Sequence, residues 1–314
     1  MSDTARRYRL YGLTLSAPLD LPCRRAPRRA LIDVRLTEGT DALFARARAR
    51  AGRLPRDWFH YRPLPDRSLY VRWSGSFEFL VSPDRRSIRY RPLAHATTES
   101  LAVYLLGQML SFSLLARGSD PLHGTGVAVD RGALVIVGDC GYGKSTLAAA
   151  LVARGCPLVT DDLVSLRRVG PRWLVDPGLP RVKLAPRVAR RLLGTNARGE
   201  AMIHGTTKRI IPLAATQAMT RALPLTAIYV LDAPTRGGRI AVEPLARREG
   251  LLEIVRAAYN LVVLDRDRYA NQFAFAARLA AAVPVRRLIY PRAIERLPAV
   301  CDAVLEDVAV LASR

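Results

Sequence analysis

The sequence predicts an α/β protein in two parts. A smaller β-rich region spans residues 1–117 and ends in a helix; an α/β domain built around a glycine-rich loop spans 118–314. Short apolar and aromatic runs separated by turn residues fill the first ~95 positions. An apolar strand then runs straight into a complete G-x-x-x-x-G-K-[ST] loop that opens a helix. Beyond the loop, strand-like and helix-like patterns alternate to the end of the chain.

In the first region, strands are expected at 8–15, 30–36, 68–73, 77–82 and 87–93. Pro-, Gly- and Asp-containing turns divide them, one marked by Asp84 between Pro83 and Arg85. Thr97 or Thr98 is placed to cap a helix running to about Ala116, with Glu99 and Ser100 in its first turn. The apolar stretch 101–116 carries Gln108, Ser111 and Ser113 and is short for a bilayer span, so it reads as a buried or amphipathic helix. In the second region, 123–130 and 133–138 read as paired strands around Asp130-Arg131-Gly132, followed by a helix over 143–154 and a strand over 157–160. A hairpin over 164–178 turns at Gly170-Pro171; a buried strand is expected at 224–233 and helices at 244–260, 268–282 and 292–312.

Composition narrows the function classes. Half of the 314 residues are apolar and the mean hydropathy is +0.06, neither a disordered nor a membrane composition. The N-terminal MSDTARRYRL has no apolar core of a secretory signal. Cys23, Cys140, Cys156 and Cys301 form no C-x-x-C and are not flanked by histidines at metal-ligand spacing, which points to a reduced, cytoplasmic setting without structural zinc. The net charge of +22 is spread evenly: residues 1–118 hold 21 Arg against 10 acidic residues, half of the excess. With no basic tail or block, nucleic acid is disfavoured as a partner, although an anionic partner would be drawn in from a distance. Lysine is scarce: Lys144, Lys183 and Lys208 stand against 46 Arg, which marks each as a place where a compact, flexible point charge is wanted.

The loop is Gly138-Asp139-Cys140-Gly141-Tyr142-Gly143-Lys144-Ser145, followed by Thr146. Its glycines let several backbone N–H groups turn toward one point, and the helix N-terminus adds positive potential. These residues are the candidate nucleotide site. Lys144 would reach the β and γ phosphates of ATP, and Ser145 would ligate Mg²⁺. Asp161 and Asp162 follow at the carboxyl end of the expected strand 157–160, the end at which open α/β sheets bind ligands. Adjacent strand residues face opposite ways, so one carboxylate would meet the metal–phosphate group and the other an acceptor hydroxyl.

The run GALVIVGDCGYGKSTLAAALVARGCPLVTDD, with His123-Gly124 upstream, resembles the catalytic domain of HPr kinase/phosphorylase. That family shows a His-Gly, a G-D-S-G-x-G-K-S loop and R-G-x-x-L-V-x-D-D; here His123 lies 21 residues before Lys144 and Asp161 lies 17 after it. The resemblance covers about residues 121–165 and implies a fold related to phosphoenolpyruvate carboxykinase and Mg-ATP-dependent phosphorylation of a serine. It implies Asp161 as the carboxylate that activates the acceptor, Asp162 as a helper near the metal, and His123 close to the transferred phosphate.

The family's L-E-I-R-G-x-G segment, some 40 residues past the lysine, supplies a metal-binding glutamate. Here the comparable segment is DPGLPRVKLAP (176–186), with no glutamate between Asp176 and Glu200. That segment, KRIIPL (208–213) and VRRLIYPR (285–292) resemble a divergent branch of kinases acting on ribosomally made peptides, notably at the C-terminal serine of lasso-peptide precursors. This resemblance implies a precursor peptide as acceptor rather than the HPr protein; assembly as a homo-oligomer is compatible with the sequence. Arg181, Lys183, Lys208 and Arg209 are candidates to hold a phosphate or a peptide carboxylate. The alternatives are a kinase/phosphorylase of an HPr-type phosphocarrier, a kinase of small-molecule hydroxyls, and a nucleotide-binding regulator without transfer activity.

Overall fold

The computed structural model of the protein describes residues 5–53, 57–194, 199–201, 206–233 and 238–313. The chain divides into two compact units, Met1–Gly118 and Ser119–Arg314.

In the first unit the described strands form a mixed eight-stranded sheet. Its spatial order is Arg24–Arg25, Arg6–Leu10, Leu13–Ala17, Val34–Glu38, Ser87–Pro92, Phe77–Val81, Leu69–Trp73 and Phe59–Pro63. The run 8–15, expected as one strand, is a hairpin. Tyr11 (φ 53°) and Gly12 (φ 79°) both take left-handed conformations, as a two-residue turn of primed type requires. A helix, Asp41–Ala51, was not anticipated. Its sequence DALFARARARA alternates Ala with Arg and buries little beyond Phe44 and Ala47, so it carries almost no apolar stripe. Thr97 caps the last helical segment: its hydroxyl accepts from Ser100 N at 3.1 Å, and the Ser100 hydroxyl accepts from Thr97 N at 2.9 Å. The segment runs through Thr98–Tyr104, a π-helical stretch Leu105–Met109, and Leu110–Leu115. It is long and apolar enough to cross a membrane by length and composition, yet 67% of it is buried in the protein, in keeping with a core helix.

In the second unit the central strand Gly132–Val137 pairs antiparallel with Leu122–Val129 and parallel with Leu223–Leu231. Leu158–Val164 lies on the outer side of Leu122–Val129, and Val285–Ile289 pairs parallel with Leu223–Leu231. The central strand is buried on both faces, hence its unbroken apolar sequence. Leu134 and Ile136 pack with Leu147 and Leu151 of the helix Lys144–Ala153 and with Val300 and Val304 of the helix Leu297–Ala312. Val135 and Val137 face the other way, toward Ile254 of Arg247–Arg256 and Phe275 and Leu279 of Arg266–Ala282. The expected hairpin is present as Leu166–Val169 and Arg172–Val175. A separate three-stranded sheet orders Arg181–Leu184, Arg209–Pro212 and Glu200–Ala201; it and the helix Pro186–Leu193, which opens on a proline and ends at Gly194, were not anticipated. The strand expected at 157–160 is longer, Leu158–Val164, and takes both aspartates into the sheet rather than leaving them at its end.

Candidate functional site

The strand Gly132–Val137 delivers the chain to Gly138, whose φ of 140° lies outside the range of ordinary side chains; a Cβ there would also approach the Leu231 carbonyl to 3.1 Å. The loop closes at Gly143, the N-cap of Lys144–Ala153, held at φ 100° with no side-chain cap bond. The first-turn amides of this helix therefore receive no side-chain cap and are oriented to bind an anion. Lys144 is buried, and its ammonium donates to the carbonyls of Gly138 (2.8 Å) and Asp139 (3.0 Å). Burial lowers its pKa from the usual lysine value, as expected for a cation whose partners are carbonyls rather than water.

A cavity of about 480 Å³ opens over this loop. Cys140, Gly141, Gly143, Lys144, Ser145 and Thr146 line it from the loop side, whereas Gly138, Asp139 and Tyr142 support the loop from outside the lining. His123, Asp161, Asp162, Lys183 and Lys208 line the cavity from other elements, so all three lysines of the chain meet there. Of the four cations assigned to an acceptor, Lys183 and Lys208 reach the cavity; Arg181 is buried outside its lining and Arg209 is exposed outside it. Lys183 and Arg209 sit on paired strands of the small sheet, and Lys208 immediately precedes its second strand.

The two aspartates share the cavity but differ in partners. Asp161 is held by three bonds: its Oδ1 accepts from Thr125 Oγ1 (2.7 Å) and Ser145 Oγ (2.9 Å), and its Oδ2 from the Lys183 amide (2.9 Å). Asp162 accepts at Oδ2 from the Lys183 ammonium (2.7 Å) and the Tyr259 hydroxyl (3.3 Å), and turns Oδ1 to His123 Nδ1 at 3.8 Å. The carboxylate bonded to Ser145 is thus Asp161, whereas the resemblance implies Asp162 as the helper near the metal. The alternation of a regular strand also fails here. Asp162 has φ 75°, a left-handed conformation that brings it to the same cavity as its neighbour. Burial by itself would push the Asp162 carboxyl up, but the Lys183 and His123 charges beside it outweigh burial and hold it at about 2. Burial lowers the pKa of His123 below its ordinary 6.5, opposed by Asp162 and reinforced by Lys144.

Sequence reasoning missed Thr125, Tyr259, Tyr290 and Arg292. Tyr290 and Arg292 line the cavity, and Arg292 donates to the Gly141 carbonyl from 151 residues away. Thr125 was legible in principle, since it follows the His-Gly pair directly and a strand carries alternate residues to one face. Tyr259 lies between two helices and gave no local signal.

No protein-family model matches the chain. Among curated proteins, an HPr kinase/phosphorylase of Nitrosomonas europaea is 41% identical over 86 residues, 26% of this chain and 25% of the relative. One of Chromobacterium violaceum is likewise 41% identical over 86 residues, 26% of each. The chain thus spans about a quarter of the length of the curated relatives it matches. Among solved structures, the Hpr(Ser) kinase/phosphatase from Coxiella burnetii aligns over 61% of this chain and 98% of its own, at 12% identity and a TM-score of 0.34, too low to carry an argument. The relatives bear the name that the loop and aspartate pair called for, and over that quarter of its length the chain is HPr kinase-like.

Proposed function

We propose that the protein is an ATP- and Mg²⁺-dependent serine kinase whose acceptor is a ribosomally made precursor peptide of the lasso type, modified at its C-terminal serine. One observation carries the reading: an open helix N-terminus with a buried lysine, and two carboxylates with different partners, face a single cavity. Simple nucleotide binding needs the first feature and not the second.

The residues present fit a nucleotide phosphate: uncapped first-turn amides, Lys144 with its ammonium held at the loop, and room beside them. They also fit magnesium of the hydrated kind, which uses one or two protein oxygens and completes its shell with water and phosphate. Ser145 and Asp161 would supply those oxygens. Among the described residues no cluster of three or more His, Cys, Asp or Glu forms a dedicated cage. When bound, the metal would neutralise charge on the phosphates.

The remaining roles belong to side chains. Lys144 and the loop amides hold the transferred phosphate in line and stabilise its spread charge. Asp161, held in place by Thr125, Ser145 and the Lys183 amide, would fix the metal side with its remaining lone pair. Asp162, ionised at any working pH, orients the acceptor hydroxyl through Oδ1 and takes its proton late in transfer. His123 stands beside that oxygen. Lys208, exposed at the cavity edge, meets the acceptor's carboxylate.

A second reading, kinase/phosphorylase action on an HPr-type phosphocarrier, is favoured by the names of the two relatives. The deciding experiment incubates the protein with Mg-ATP and the peptides encoded beside its gene, with a phosphocarrier in parallel, and reads masses. A gain of one phosphate, about 80 Da, on a peptide serine supports the first reading. A gain on the carrier alone supports the second, and no gain on either removes both.

A further inference from the structure

Lys183 touches both aspartates at once. Its backbone N–H donates to Asp161 Oδ2 at 2.9 Å, and its ammonium donates to Asp162 Oδ2 at 2.7 Å. The first contact is set by the sheet: Lys183 lies in Arg181–Leu184, in register with Ile210 of the neighbouring strand, so its amide stays in place whatever the side chain. The second depends on the side chain, which is 14% exposed and lines the cavity with Lys144 and Ser145.

Phosphoryl-transfer centres often hold two divalent ions about 3.5–4 Å apart, bridged and flanked by carboxylates. Here an ammonium sits on Oδ2 of Asp162 and places its positive charge beside the carboxylate where a second ion would have to come. Among the described residues Asp161 and Asp162 are the carboxylates that line the cavity, and Asp161 is already committed to Ser145. The choice of lysine in a chain with 46 Arg fits this role. An ammonium is a compact charge with three donors, able to rest on Asp162 and still address a phosphate oxygen; a planar guanidinium would claim the carboxylate edge.

We propose that Lys183 is the positioning residue of the aspartate pair and that its ammonium holds the place of a second divalent cation, so that the centre takes a single metal ion at Ser145 and Asp161. This inference rests on the kinase reading above. It makes Asp162 a carboxylate shaped by a side chain rather than by a metal, and leaves its Oδ1 for the acceptor.

The test counts ions. The full chain is titrated with Mn²⁺ in the presence of a non-hydrolysable ATP analogue, and free Mn²⁺ is followed by electron paramagnetic resonance. Wild type and Lys183→Arg are expected to bind one ion per chain. Lys183→Glu, which adds a third carboxylate, is expected to bind two. Lys183→Met, close in length and uncharged, frees Asp162 and is expected to admit a second, weaker ion; it decides the matter if Lys183→Glu fails to fold by its melting curve. In acceptor assays Lys183→Met should lower kcat about 100-fold with the KM for ATP little changed, and Lys183→Arg should recover part of the loss. Two ions on the wild type, or one ion on both Lys183→Glu and Lys183→Met, overturns the inference and leaves the kinase reading standing. Failure of the analogue to bind the wild type overturns the kinase reading itself, and this inference with it.

Discussion

Lys144, Asp161 and Asp162 carry separable duties, and conservative changes should separate them. Lys144→Ala removes the one cation held inside the loop; nucleotide binding measured by calorimetry should be lost. Asp161→Asn keeps one carbonyl oxygen for the Ser145 and Thr125 hydroxyls, but it removes the negative charge and replaces the acceptor of the Lys183 N–H with an amide NH2, and should weaken Mg-nucleotide binding. Asp162→Asn should leave that binding nearly intact and cut transfer about 10²–10⁴-fold, the usual scale for a positioned acid–base group. The opposite pattern would restore the assignment implied by the resemblance. His123 gives a pH prediction. Its pKa is below 6.5, so it is neutral at and above neutral pH; as pH falls through that lowered value it acquires charge beside Lys144. Activity that needs the neutral ring should fall off as pH drops through that lowered value, whereas the stability owed to the neutral ring is fully present above 6.5 and is lost as pH falls from 6.5 to that value. The acid limb of kcat/KM should move or flatten in His123→Asn. Stability linked to Asp162 has the opposite origin: it is present above 3.8 and lost only as pH falls toward about 2.

At the level of elements, what was legible followed from local chemistry. The strand–loop–helix of 132–153 declares itself because every requirement is met within a few residues: unbroken apolar strand, glycines at positive φ, lysine and hydroxyl at the helix start. The Thr97 cap was legible for the same reason. Thr97→Ala should cost about 1 kcal/mol, read as a lower melting temperature of the full chain. Leu147→Ala, in a fully buried position under the loop, should cost about 2–5 kcal/mol and weaken nucleotide binding as the loop loses its support. The helix Asp41–Ala51 and the small sheet of Arg181–Leu184 were not legible. Their residues are held by tertiary contacts rather than by a periodic apolar pattern, and the sheet's central partner lies about 25 residues along the chain.

Across the whole chain, the excess of 22 positive charges is dispersed, yet the lysines are not. Their convergence on one cavity was foreshadowed by scarcity alone, whereas Tyr290 and Arg292 arrive there from the far end of the sequence and left no trace beside the loop. A basic molecule drawing in an anionic nucleotide should show an ATP KM that rises with ionic strength between about 50 and 200 mM salt, because exposed charges are screened over about 10 Å at 0.1 M. A flat profile would confine the useful charge to the cavity itself. Asp162 adds a constraint of a different kind. At a φ of 75° the backbone admits few residues comfortably, and asparagine is among them while glutamate is not. The position can therefore drift between an acidic and an amide form without disturbing the chain, so a silent nucleotide-binding descendant of this protein lies a single substitution away.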